Sequence, residues 1–281
     1  MYLDRFEAVN ELSKNPTSKS KEIILKALND KNWSIRNFAL SKIDAIAKSN
    51  SSELQPILIK LAERDEKSRV RAEAIETLGE EFDDEDLLDV YKKALKDKSY
   101  DVEAEALSTL NKKNPVDGFE AAKTFVNDSN LTLLKSILNI LSASGSDAEN
   151  EFFLKNNRYF QGFAQYSFTQ QYGKYLLGRS DTVINSGLPV LEQTARKATV
   201  WWIRLTALKA IDSLQSMYAE REKELRAKKS NPSNSKSEAN NSSELDVAIE
   251  RAKRQQEKIK TLFTSIKNSE MDKNLLRHYS N

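Results

Sequence analysis

Apolar residues recur three and four positions apart within segments of roughly ten to fifteen residues, and short turns rich in Asn, Asp, Ser and Lys separate the segments. That spacing repeats once per helical turn, so each segment predicts an amphipathic helix with one face to bury. The punctuation of strands and hairpins is missing, because the 281 residues include only 7 glycines and 5 prolines. The pattern predicts an all-α chain of stacked helical hairpins.

One segment returns at a period of roughly 31 to 35 residues, the range of helical-pair repeats. The first copy runs from Asp30 through Ile35-Arg36, Ala39 and Ile43. The second has Asp65, Val70-Arg71, Ala74 and Leu78, and the third Asp97, Val102, Ala106 and Leu110. A fourth has Asp128, Leu133, Ile137 and Leu141, and a degenerate fifth keeps Ile203-Arg204, Ala207 and Ile211. The three apolar positions share one face of the second helix of each pair, and the small middle residue lets the first helix approach closely. Amphipathic stretches upstream, such as Ile23 to Leu28 and Leu54 to Leu61, supply the first helices, with Pro56 expected in a first turn. Each aspartate falls in the turn between paired helices, where its carboxylate accepts backbone N–H bonds. The arginine that follows is placed to pair with an aspartate of a neighbouring repeat. This predicts a ladder through Asp30, Arg36, Asp65, Arg71, Asp97, Asp128 and Arg204, weakened where Glu103 and Leu134 stand in for arginine.

The pattern Asp-x4-Val-Arg-x2-Ala-x3-Leu resembles the HEAT and HEAT-like repeats over about residues 20 to 145. The resemblance implies a right-handed alpha-alpha superhelix, an armadillo-like solenoid of helix pairs with first helices on the convex side and second helices on the concave side. It implies a binding scaffold and carries no chemistry of its own.

Charge and composition narrow the function further. Lys plus Arg number 44 against 42 Asp plus Glu, a net charge of +2 without a basic stripe, which speaks against nucleic acid. No apolar run is long enough to span a bilayer, so no membrane partner is expected, and the compartment stays open. With no cysteine and a single histidine, His278, the chain cannot assemble a site of two imidazoles and a carboxylate, and His278 reads as a solvated terminal residue. The acidic run Asp83 to Asp86 reads as a turn between repeats. No catalytic, cofactor or metal residues are expected in this chain.

A narrower resemblance lies in Tyr2-Leu3-Asp4-Arg5-Phe6-Glu7-Ala8, Leu28 to Arg36 with Trp33, Phe163 to Phe168, and Trp201-Trp202-Ile203-Arg204. These are similar to the C-terminal HEAT-like region of bacterial aminopeptidase N-like zinc metallopeptidases. The resemblance implies a non-catalytic region that packs against a catalytic peptidase domain of the same parent chain and helps enclose its peptide substrate. Zinc would then belong only to that other domain, since His-Glu-x-x-His and Gly-x-Met-Glu-Asn are absent here. The alternative is a free-standing adaptor that binds another protein on its concave face. An independent enzyme such as a HEAT-like chromophore lyase comes third, with no residue pattern in its favour.

The reading divides the chain into HEAT-like repeats over residues 1–145, degenerate aromatic-rich repeats over 146–219, and a charged helical hairpin over 220–281 with a flexible loop at about 228–242. In the aromatic segment 159–175, rings spaced by three and four either fill a junction or line a peptide surface. Of the adjacent Trp201 and Trp202, one ring is expected inside and the other near the surface. The first helix matches only the second half of a repeat. Tyr2, Leu3, Phe6, Val9 and Leu12 join Ala8 in an apolar arc of about 220°, wider than one neighbour covers. Tyr2, Leu3, Phe6 and Val9 are therefore the candidate interface, expected to receive sequence upstream of this chain.

Overall fold

A computed structural model of the chain describes residues 2–14, 17–45, 51–230, 238–269 and 277. Among these residues the regular structure is helical throughout, with fourteen α-helices and short 3-10 turns. The chain divides into two compact units, Met1–Ile140 and Leu141–Asn281.

The first unit contains α1 (Tyr2–Lys14), α2 (Ser18–Ala27), α3 (Trp33–Leu40), α4 (Ser51–Arg64), α5 (Ser68–Glu81), α6 (Leu87–Ala94), α7 (Tyr100–Lys113), α8 (Pro115–Thr124) and most of α9 (Leu131–Ser144). Helices α2, α4, α6 and α8 are the first members of pairs, and α3, α5, α7 and α9 the second. Second helices pack on one another in series, α1 on α3, α3 on α5 and α5 on α7. The residues at offsets five, nine and thirteen from each aspartate are all buried. Several helix starts are fixed by side chains that accept orphan N–H groups. Thr17 and Ser20 form a reciprocal cap on α2, Asn32 caps α3, and Asn114 caps α8 with Pro115 in its first turn.

Two local expectations differ from the structure. Pro56 lies inside α4, not in its first turn, because the helix already starts at Ser51. The missing N–H forfeits a bond to the carbonyl of Ser52, near enough to the helix start for α4 to continue. Helix α3 ends at Leu40, so Ile43 reaches the core from a 3-10 turn instead of a third helical turn.

The second unit contains α10 (Asn150–Asn156), α11 (Ala164–Leu176), α12 (Asp181–Lys197), α13 (Trp201–Ser230) and α14 (Glu238–Ser269). Its core is aromatic where the first unit's is aliphatic. Phe153 stacks against Tyr172 and Tyr175, and Phe160 and Phe168 extend the cluster. Tyr172 donates to Asn150 Oδ1 at 3.0 Å, which satisfies a hydroxyl that would otherwise be stranded in the core. The long α13 and α14 pack side by side. Of the stretch expected as a loop, residues 228–230 close α13 and 238–242 open α14, while 231–237 fall outside the described residues.

Candidate interaction surfaces

The turn inside each helix pair of the first unit is built on the same atoms. Asp30, Asp65, Asp97 and Asp128 each accept the N–H two residues on, from Asn32, Lys67, Ser99 and Asn130, at 2.7 to 2.9 Å. Six residues beyond the aspartate, Arg36 and Arg71 each donate Nη1 back to the aspartate's own carbonyl at 2.8 Å. Their remaining N–H groups reach forward. Arg36 grips both carboxylate oxygens of Asp65 at 2.6 and 2.8 Å, and Arg71 grips both of Asp97 at 2.7 Å. Each guanidinium thus ties its own turn to the next one, in the planar two-bond geometry that lysine lacks.

The ladder begins earlier than the repeat pattern places it. Arg5 donates Nε to Asp30 at 2.7 Å, and its only sequence signal was that Asp4-Arg5 occupies the Val-Arg slot of the motif. Burial pushes the Asp30 and Asp97 carboxyls up, but the turn N–H bonds and the arginines outweigh it and hold both below the ordinary aspartate range. The ladder stops at Glu103, which occupies the arginine slot opposite Asp128. Burial, then the charges of Asp128 and Asp97, raise the Glu103 pKa. In the second unit Arg204 repeats half of the pattern, donating Nη1 to the Ala198 carbonyl six residues back at 2.8 Å.

That interruption makes a specific expectation. Glu103→Arg should replace repulsion with a forward ion pair to Asp128 and stabilise the chain by about 1–2 kcal/mol at neutral pH, read as a higher urea midpoint. A raised carboxyl pKa means the folded chain holds the proton more tightly, so the Glu103 penalty grows as pH rises from the ordinary glutamate range through the raised value. The gain should therefore shrink as pH falls through that window. An unchanged midpoint at pH 7 would show that the slot cannot accept arginine.

At the α1 end the four candidate residues divide. Leu3 is 70% exposed, and Tyr2 39% exposed, its hydroxyl 3.0 Å from Ser34 Oγ. Phe6 is half-buried and stacks on Phe38 with ring centroids 4.0 Å apart. Val9 does not belong to a surface at all: it is 1% exposed and part of the first unit's core. The wide apolar arc is covered on one side by α2 and α3, both of which pack against α1.

The aromatic segment is mostly core, since Phe160, Phe168, Tyr172 and Tyr175 are buried. Phe163 is the exception at 77% exposed. It lies nearly parallel to Trp202, itself 41% exposed, with centroids 6.4 Å apart, and Trp201 meets Trp202 edge-on. Neither tryptophan is buried, contrary to the one-in, one-out expectation. Trp201 is half-buried and Trp202 exposed, because both open α13 where the exposed Phe163 stands across from them. Gly162, in the left-handed region at φ 57°, turns the chain so that Phe163 projects from the start of α11.

A polar groove of the same unit includes Asn157, Gly162, Gln165, Gln193, Lys197 and Thr199. Elsewhere in the unit, Asp181 is buried between α12, α13 and α14, accepting from the Tyr218 hydroxyl at 2.6 Å and from Arg251. Burial raises its pKa, and these two donors more than reverse that. Among the described residues no group of three or more His, Asp or Glu side chains is placed to hold a metal ion, and no helix is long and apolar enough to cross a membrane. His278 lies outside the described residues.

Stacked antiparallel helix pairs tied turn to turn by Arg–Asp links define an all-α helical-repeat fold. Comparison with protein families agrees: a family description for HEAT repeats matches residues 24–111 and again 55–138. No curated protein matches the chain. Among solved structures it is similar to a chain in the complex of CpcE and CpcF of phycocyanin lyase from Nostoc sp. PCC7120. The identity is 14%, over 90% of this chain and 96% of that one, with a TM-score of 0.47.

Proposed function

We propose that this chain is a non-catalytic protein-binding module, and that its partner docks on the aromatic surface formed by Phe163 and Trp202. The observation that carries the reading is their exposure. Two large rings held near-parallel in water leave apolar area uncovered, and tryptophan with a neighbouring aromatic is the composition that dominates binding energy at protein interfaces. A second reading rests on Leu3 and Tyr2, exposed at the α1 end. There a further domain would dock, a peptidase catalytic domain if the aminopeptidase likeness of the sequence holds.

One experiment separates the two. The purified chain, a Phe163→Ala/Trp202→Ala variant and a Leu3→Glu variant are used as bait, and a captured protein is identified, purified and titrated against all three. The first reading expects the double variant to bind at least about tenfold more weakly with an unchanged thermal midpoint, since a central aromatic contact carries a kcal/mol or more. Loss confined to Leu3→Glu would favour docking at α1. Equal binding by the chain and both variants would dismiss both surfaces.

A further inference from the structure

Phe163 and Trp202 are held at a separation that fits one kind of filling. Their rings lie 17° from parallel with centroids 6.4 Å apart. Rings in direct face contact sit about 3.5 to 4 Å apart, so this separation is close to the roughly 7 Å of two successive stacking steps. Phe163 is 77% exposed, which leaves both faces of its ring bare and the indole not yet covering it. Trp201 meets Trp202 edge-on at 6.0 Å and backs the firmer wall of this slot. Phe163 is the yielding wall, standing next to the left-handed turn at Gly162 where α11 begins. What enters must be flat and apolar. A planar cation is disfavoured, because Lys and Arg outnumber Asp and Glu across residues 141–281. A flat apolar ring is what the same chain already projects into solvent, in Phe163 itself.

Resting on the protein-binding reading above, we infer that the partner at this surface is a second copy of the chain, each copy's Phe163 entering the other's slot. The arrangement closes on itself about a two-fold axis that passes between the two Phe163 rings. The stack then runs from Trp202 to the partner's Phe163, on to Phe163 and last to the partner's Trp202. One docking event fills both slots and covers both faces of each Phe163 ring. Tyr166, 39% exposed and one turn along α11, extends the contact. The apolar area is small against the roughly 1,200 Å² at the low end of stable interfaces, so the dimer dissociates on the order of 10 to 100 µM. Both copies carry excess positive charge in this unit, so added salt strengthens the dimer.

Sedimentation velocity of the full chain, over a concentration series of about 1 to 500 µM, should show a monomer–dimer equilibrium that tightens as salt rises. Phe163→Ala and Phe163→Leu should each weaken it at least about tenfold with an unchanged thermal midpoint, since the exposed ring supports nothing in the core. Phe163→Trp keeps a flat ring and should retain it. In a Trp33→Phe chain the remaining indoles are Trp201 and Trp202, so the emission should shift over the same concentration range. A chain that stays monomeric, a dimer indifferent to Phe163→Ala, or an emission that ignores dimer formation would overturn the inference. So would full retention by Phe163→Leu, which would make the contact apolar without stacking. Should the chain stay monomeric while a captured partner still depends on Phe163 and Trp202, the self-association inference fails and the protein-binding reading stands. Should neither a dimer nor a captured partner depend on these rings, both fail.

Discussion

Replacing Arg71 with alanine is expected to cost about 2–4 kcal/mol of folding stability, a large share of what a helical unit of this size has to lose. The side chain is 5% exposed and its partner Asp97 15% exposed, so the pair sits largely out of water. Truncation removes two bonds to the Asp97 carboxylate and one to the Asp65 carbonyl, and it leaves Asp97 with a buried charge and only its Ser99 N–H bond. The uncompensated charge, more than the lost attraction, is what makes removal of one partner expensive. Arg71→Ala together with Asp97→Asn should recover much of the loss, because the buried charge disappears while the amide oxygen still accepts the Ser99 N–H. The loss should also shrink as pH falls, since the depressed Asp97 pKa contributes stability above the ordinary aspartate range and surrenders it as pH drops through the lowered value. A urea midpoint within error of the wild type would mean that Arg71 is solvated in solution.

The second large effect is at Gly118, in the first turns of α8. A Cβ there would lie 2.3 Å from Asn111 Cα and 2.7 Å from Asn111 N, both backbone atoms of α7. Backbone cannot swing aside as a side-chain tip can, so Gly118→Ala should push the two helices apart and cost about 2–4 kcal/mol. This overrides the gain of up to about 1 kcal/mol that alanine brings to a helix interior. Gly79→Ala is the internal comparison, because its nearest obstacle at 2.4 Å is a methyl group of Thr109, a side-chain atom. Thermal denaturation of the two variants should rank Gly118→Ala well below Gly79→Ala. The reverse order would mean that the packing of α7 on α8 relaxes freely.

The helical-repeat fold was legible because a repeat writes its core at fixed offsets. Ile35, Val70, Val102 and Leu133 occupy one position of the pattern, and all four are fully buried. Helix ends were less legible. Ser and Asn residues around 238–242 read as loop by composition, yet α14 begins at Glu238. Arg5 was missed as a ladder member because Asp4 stands where the other copies have the Ile or Val before the arginine, although its 25-residue step to Asp30 is close to the 26 from Arg71 to Asp97. Spacing alone left the aromatic segment 159–175 open between core and surface. Phe160 and Phe163 are both aromatic and three apart, but the left-handed turn at Gly162 sends one into the core and the other into solvent.

The stop in the ladder at Glu103 also bears on how the first unit comes apart. In a stacked array each repeat is coupled only to its neighbours, so stability propagates through nearest-neighbour terms and opening proceeds from the weakest junction. Arg5, Arg36 and Arg71 strengthen three successive junctions, whereas the step from Asp97 to Asp128 carries two like charges and no bridging cation from the arginine slot. The turns up to Asp97 are thereby welded into one cooperative block. The turn at Asp128 can fray without breaking any rung, and amide exchange should divide the unit at α7, with slow protons on its N-terminal side and faster ones in α8.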